Sequence, residues 1–131
     1  MAFSNGNGSE SSPYIVSNIS DFIAFLMNDY EILTYFKQGN DIDFTYMPLK
    51  GSKVLTSNKV YDGDNKKLSN LSIITEDNTE LVLFLCKSNC VFKNMVFSNL
   101  IMESKINSVT VFKNISEVNK SSISLPLIGN I

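Results

Sequence analysis

Between residues 19 and 26 the apolar positions Ile19, Phe22, Ile23 and Leu26 follow the i, i+3, i+4, i+7 spacing of one helix face. Ser17 stands where an N-cap belongs, and Asp21 in the first turn suits the positive end of the helix dipole. Asn and Asp cluster from Asn28 onward, so the pattern predicts a short amphipathic helix over 17–28 that lies over one end of a core. From Tyr35 the pattern changes. "YFKQGNDIDFTYMPL" sets aromatic and β-branched residues on both sides of Gly39-Asn40 and reads as two short strands. Another strand, a tight turn at Asp62-Gly63 and an alternating segment carrying Leu68, Leu71 and Ile73 come next. From Thr79 to Ser116 short apolar runs are broken by Asn and Ser, with no helical stripe of useful length. This half of the chain reads as β.

Two internal similarities suggest how the strands are used. "VFKN" occurs at 91–94 and again at 111–114, and "LSNLSI" (68–73) resembles "FSNLIM" (97–102). Units of roughly 20 to 25 residues with Asn at the turns suggest the rungs of a β-solenoid, in which inward residues stack on their counterparts one rung away. Asn suits the corners because its amide tolerates left-handed backbone and can ladder with an Asn above. The expectation is an all-β chain with a short capping helix: a parallel β-helix (β-solenoid) of about three to four rungs.

Composition narrows the chemistry. With 131 residues, 44% hydrophobic and 18% charged, the chain should fold around one core as a single domain. Within it, 3–16 forms an opening loop and first strand, 17–28 the capping helix, 35–118 the rungs and 119–131 a C-terminal tail. A net charge of −2 gives no general attraction to nucleic acid or to anionic membranes. All basic residues are lysines, with no Arg, His or Trp, which removes guanidinium clamps and imidazole chemistry. Cys86 and Cys90, spaced C-x3-C, make neither a redox C-x-x-C nor a zinc site and read as two buried thiols. No cofactor and no metal is expected. No secretory leader follows Met1, and no apolar run approaches the ~18 residues that span a membrane, so membrane insertion is not expected and assembly in a cytoplasm is.

Few residues carry candidate chemistry. Asp41 and Asp43, at i and i+2, would share a strand face, and Asp62, Asp64 and Glu76 follow. Paired carboxylates of this kind could act as acid and base on a polysaccharide, or ligate calcium, but the spacing matches no calcium loop. No catalytic residue is assigned among them. Among the tyrosines, Tyr35, Tyr46 and Tyr61 are candidates for stacking on sugar rings, with Tyr30 a further possibility. The N-x-[ST] sequons at Asn70, Asn114 and Asn119 read as accidents of an Asn- and Ser-rich chain.

In order, "FSNGNGSESSPYIV", "ISDFIAFL", "YFKQGNDIDF", "VYDGDNKKLSNLSI" and "CVFKNMVFSNLIM" resemble the blocks of GLUG-repeat, adhesin-type β-helix modules, related in shape to pectate-lyase-like solenoids. That family opens with a phrase of the form F-x-G-G-x-G-T-x-x-x-P-Y-x-I, followed by a short helix, "DIDL", "FDGxxxxIxNLxI" and "IKNLxxxNxxI". The resemblance covers Phe3 to about Met102. It departs at "NGNG", where the family has a glycine pair, and at "LFLCKS", where the family has "LFG". The resemblance implies a right-handed β-helix whose opening loop leads into a cap, and aspartates without hydrolytic duty. Together with the missing leader it points to a non-enzymatic phage virion structural protein (head fibre, decoration or tail appendage) with a host-surface adhesion role. The alternatives are a module of a bacterial cell-surface adhesin and a fragment of a polysaccharide-degrading β-helix enzyme. The partners expected are copies of itself, a trimer first, other virion proteins through one terminus, and a host surface glycan. The expected localisation is the virion, or alternatively the bacterial cell surface.

Overall fold

A computed structural model gives the fold; it describes residues 3, 5–28, 30–45, 49–50, 53–75, 81–104, 109–113, 117–119 and 122–123. Of these, the backbone alone is described at 49–50, 53–57, 74–75, 81–83, 85–88, 103–104, 109–113, 117–119 and 122–123. β1 (Tyr14–Val16) leads into α1 (Ile19–Met27). One pass of chain then runs through β2 (Thr34–Gln38), β3 (Ile42–Asp43) and β4 (Leu49–Lys50), and the next through β5 (Lys53–Asp62), β6 (Lys67–Ser69) and β7 (Ser72–Thr75). A further pass uses β8 (Leu81–Lys93), β9 (Val96–Ser98) and β10 (Ile101–Ser104), and the last described one β11 (Val109–Lys113), β12 (Glu117–Asn119) and β13 (Ser122–Ile123). Equivalent strands of successive passes pair side by side and always in parallel. The result is mostly β with one short helix: three all-parallel sheets in a small solenoid-like arrangement, with orders β1-β2-β5-β8-β11 (β12 also on β8), β3-β6-β9-β13 and β4-β7-β10.

Period-2 alternation sets which residues face inward. In β2, Thr34, Phe36 and Gln38 are buried while Tyr35 and Lys37 are half-buried. Register carries that choice to the next pass: Phe36 lies beside Tyr61, which lies beside Phe92, and Ile42 beside Leu68, which lies beside Phe97. All six are buried.

The similarity between "LSNLSI" and "FSNLIM" is a true stacking period. Leu68 pairs with Phe97, Ser69 with Ser98 and Ile73 with Met102, all at one constant offset along the chain. The "VFKN" pair is not. Phe112 lies beside Phe84, and Val91 beside Glu117, so the two copies occupy different positions along the sheet. The passes are unequal, and only the second exceeds the length expected of a rung. Thr34 pairs with Lys59 (59 − 34 = 25), but Lys59 pairs with Cys90 (90 − 59 = 31). Length enters at the register shifts between β5 and β8 and in the Gly63–Lys66 corner. Strand pairing also continues to Ser122–Ile123, inside the stretch assigned to the tail; positions 124–131 lie outside the described residues.

Asparagine makes the corners. Asn58, Asn70, Asn89, Asn94 and Asn99 all have φ between 53° and 58°, the left-handed region that Asn tolerates better than other side-chain-bearing residues. The Asn99 amide donates to Asn70 Oδ1 (2.8 Å), and Asn70 donates to Asp43 Oδ1 (3.0 Å), which ties three passes together. Asn89 donates to Asn58 (3.4 Å) and Asn94 to Asp62 (3.0 Å) at the other corners.

The helix is shorter than its sequence pattern, and its N-cap is Asn18, not Ser17. Asn18 has extended backbone (φ −153°), and its side chain accepts from the Asp21 N–H at 2.8 Å. Asp21 Oδ2 in turn accepts from the N–H of Ser17, one residue before the N-cap, at 2.9 Å, so the first turn is tied to the chain that enters it. At the other end, fully buried Lys59 donates from Nζ to the carbonyls of Phe25 (2.5 Å) and Leu26 (3.5 Å). Lys59 thus supplies, from another pass, a donor to the last turn of α1, which holds no basic residue of its own. Cys90 is buried and disulfide-bonded, which corrects the reading of free thiols at this position.

Candidate binding clefts

The outward rows of the first sheet follow from the same register that builds its interior. Tyr35, Val60 and Val91 line up across β2, β5 and β8, and so do Lys37, Asp62 and Lys93. The second row alternates in charge along neighbouring strands, an arrangement favoured by cross-strand pairing.

One wall above these rows is the opening loop. Phe3 stacks on Tyr14 (4.8 Å between centroids) and meets Phe36 edge-on (5.5 Å), which pins the start of the loop into the core. The Ile15 N–H donates to the Asn5 carbonyl and the Tyr35 N–H to the Gly8 carbonyl, so the loop is tied along β1 and β2. Gly6 and Gly8 both adopt φ near +85°, and a Cβ on Gly6 would stand 1.9 Å from the Pro13 oxygen. The Gly/Ser run is therefore part of the fold, and its composition reflects backbone geometry rather than linker freedom.

Two clefts meet at Tyr35 under this loop. One, of about 270 Å³, is lined by Glu10, Tyr35, Lys37, Val60, Asp62 and Lys93 among others. The other, of about 620 Å³, has Gly8, Tyr14, Tyr30, Ile32 and Leu33 in its walls, with Tyr35 and Glu10 shared. Ile32 is 78% exposed and Leu33 42%, beside Met27 at 76%. The first cleft is charged, the second largely apolar. Burial pushes the Tyr30 phenol above its ordinary range, with a smaller opposing effect from its hydrogen bond with Asn28, so it stays a neutral donor.

Of the three tyrosines expected to stack on sugars, two are described, and one of these reaches the surface. Tyr35 is half-buried where the clefts meet. Tyr61 is fully buried between Phe25, Phe92 and Phe22, and its hydroxyl donates to Gln38 Oε1 at 3.0 Å, so its ring has no face to offer a ligand. The inward phase of β5 is the reason. Desolvation, with a lesser contribution from Asp62, raises its pKa well above the ordinary phenol. Tyr46 lies outside the described residues, as does Glu76.

The aspartates are engaged in local bonding. Asp41 accepts from the Lys67 N–H (2.8 Å), and Asp62 from the Asp64 N–H (2.8 Å). Asp43 accepts from Asn70 and from the Thr45 hydroxyl and N–H, bonds that hold its carboxyl below the ordinary carboxylate range. Asp64 faces Lys66 across 3.7 Å at the surface, a pair of little weight. Among the described residues no three His, Cys, Asp or Glu side chains gather as a metal would require, and no helix is long and apolar enough to cross a membrane.

Glu10, Lys37 and Lys93 were not legible as site residues. The one signal was the outward phase of Lys37, which alternation with Phe36 and Gln38 provides once β2 is placed. No family model, curated protein or solved structure matches the chain.

Proposed function

We propose that the chain is a right-handed parallel β-helix module of the GLUG-repeat adhesin type, serving as a non-enzymatic phage virion structural protein (head fibre, decoration or tail appendage) that adheres to the host surface. The observation that carries the reading is the half-buried Tyr35 where two clefts meet on the outward face of a stacked parallel sheet. A flat, ladder-built face repeats its side chains at the ~4.8 Å strand spacing and presents them on rigid strands, which suits recognition of a surface saccharide. Local bonding of Asp41, Asp43 and Asp62 supports a structural role for these carboxylates. In this reading copies of the chain associate, as a trimer, and one terminus joins other particle proteins.

The test is direct. The chain should co-purify with virions, run as a discrete trimer by light scattering, and bind host cells without releasing oligosaccharides from their surface polysaccharide. Release of reducing ends, or absence from purified particles, would overturn it. A second reading, a module of a bacterial cell-surface adhesin, is favoured by the disulfide at Cys90, since such bonds belong to oxidising surroundings that exported chains meet directly. Immunolabelling separates the two: signal on uninfected cells supports the adhesin, signal on particles the virion protein.

A further inference from the structure

We infer that the two clefts form one composite site for a neutral sugar ring carrying a short apolar substituent, with the ring in the charged cleft and the substituent in the apolar one. This rests on the adhesion reading above and specifies its ligand.

The charge census selects the ring. Lys37 and Lys93 contribute two positive charges to the smaller cleft and Glu10 and Asp62 two negative ones, so the four cancel. Because the charges cancel, neither an acidic nor an amino sugar gains net attraction there. A neutral polyol can use all four, because lysine donates to hydroxyl lone pairs and carboxylates accept from hydroxyl protons. At about 270 Å³ the cleft lies just under the ~300 Å³ lower bound of drug-sized sites and fits a single ring. Tyr35 offers an aromatic edge or face to the C–H side of that ring.

The second cleft selects the substituent. Tyr14, Tyr30, Ile32 and Leu33 give it an apolar wall, and Ile32 and Leu33 stay exposed in the free protein. Because Tyr35 and Glu10 belong to both clefts, a group attached to the ring can cross Tyr35 without leaving the surface. Covering Ile32 removes apolar area from water, which a hydroxylated arm would not repay.

The test is titration of the full chain by saturation-transfer NMR and calorimetry with methyl and hexyl glycosides of glucose, galactose and N-acetylglucosamine, with methyl glucuronide and hexanol as comparators. The expected result is that at least one hexyl glycoside binds about tenfold or more tightly than its methyl counterpart. Ile32→Ser should erase that increment alone, while Glu10→Gln and Tyr35→Ser weaken both forms. Glu10 lies in the opening loop outside the core, so Glu10→Gln keeps the test valid if Tyr35→Ser unfolds the chain. Glucuronide binding as tight as the neutral sugars overturns the inference, as do equal methyl and hexyl affinities, hexanol binding as well as the hexyl glycoside, and no glycoside binding at millimolar concentration. Binding of labelled chain to whole host cells is measured in parallel. Cells bound without this glycoside selectivity sink the inference alone; no binding to cells sinks the adhesion reading itself.

Discussion

Two parts of the buried interior are built differently. Under the helix, Phe25 meets Phe36 (4.9 Å), Tyr61 (4.6 Å) and Phe92 (6.2 Å), and Phe22 meets Phe44, Tyr61 and Phe84, so one short helix inserts its rings against residues of three successive passes. Along β6–β7 and β9–β10, Leu68, Leu71 and Ile73 stack on Phe97, Leu100 and Met102, each residue resting on its own counterpart one pass away, with Asn70 under Asn99 between them. The first arrangement is a convergence of distant residues, the second a repetition. A convergence concentrates energy on a few rings that each touch many partners. A repetition spreads it evenly and is tied laterally by the asparagine ladder.

Substitution can break this comparison. Phe25→Ala is expected to cost about 4 kcal/mol and Leu71→Ala about 3 kcal/mol by denaturant unfolding, because the phenyl ring has more partners to lose. Equal losses would mean that the cap is no more concentrated than the stack. Lys59→Met should cost about 2 kcal/mol by leaving the Phe25 and Leu26 carbonyls short of a donor. Hydrogen exchange should then locate the loss in α1, and uniform loosening of β5 to β9 would contradict the clasp role. At the ladder, Asn70→Gly is expected to cost about 1 kcal/mol, for the lost bonds alone. Asn70→Ala should cost about 1–2 kcal/mol more, since alanine must also hold φ +58°. If the two variants are alike, the backbone conformation carries no weight there.

The smallest effect is expected at Asp43. Its folded pKa lies below the ordinary 3.8 through its bonds from Asn70 and Thr45. As pH falls, the unfolded chain therefore takes up the proton first. The carboxylate's stabilising contribution is full above the unfolded value, near pH 4, and disappears as pH drops through the folded value. Asp43→Asn should flatten the acid limb of a stability–pH curve in that window and leave its neutral region parallel to the parent. An unchanged acid limb would remove Asp43 from the ladder's energetics.

How much was legible differs between the same two regions. The stack announced itself, because "LSNLSI" and "FSNLIM" repeat both their apolar phase and their Asn, and stacking requires that identity at the pass length. "VFKN" misled because a shared tetrapeptide carries no information on phase: the passes differ in length, and only register reveals which copies meet. Near the helix an apolar face of α1 was readable only in part: Phe25 is buried where the spacing named Ile23, which is half-buried, and the partners of the face were not readable at all. Phe84 and Phe92 stand two passes downstream, and nothing local marks them as neighbours of Phe22 and Phe25. The binding clefts sat still further from view. Tyr35 was a candidate by type, while Glu10 joins it only through the tied-down loop, and Tyr61 was lost to the core by a single step of strand phase.

By itself, then, the sequence determined the local choices. It set an N-capped helix after the first strand, period-2 strands broken by asparagine, corners where left-handed backbone is tolerated, and a short repeat that stacks. Each depends on residues within a turn or two of one another. Tertiary structure alone decided that Lys59 should be buried against the end of α1, that Tyr35 rather than Tyr61 should face outward, and that charges from the opening loop and three strands should balance around one cleft. Those outcomes depend on parallel register between residues a whole pass apart, and register is fixed by the summed fit of the whole interior rather than by any segment.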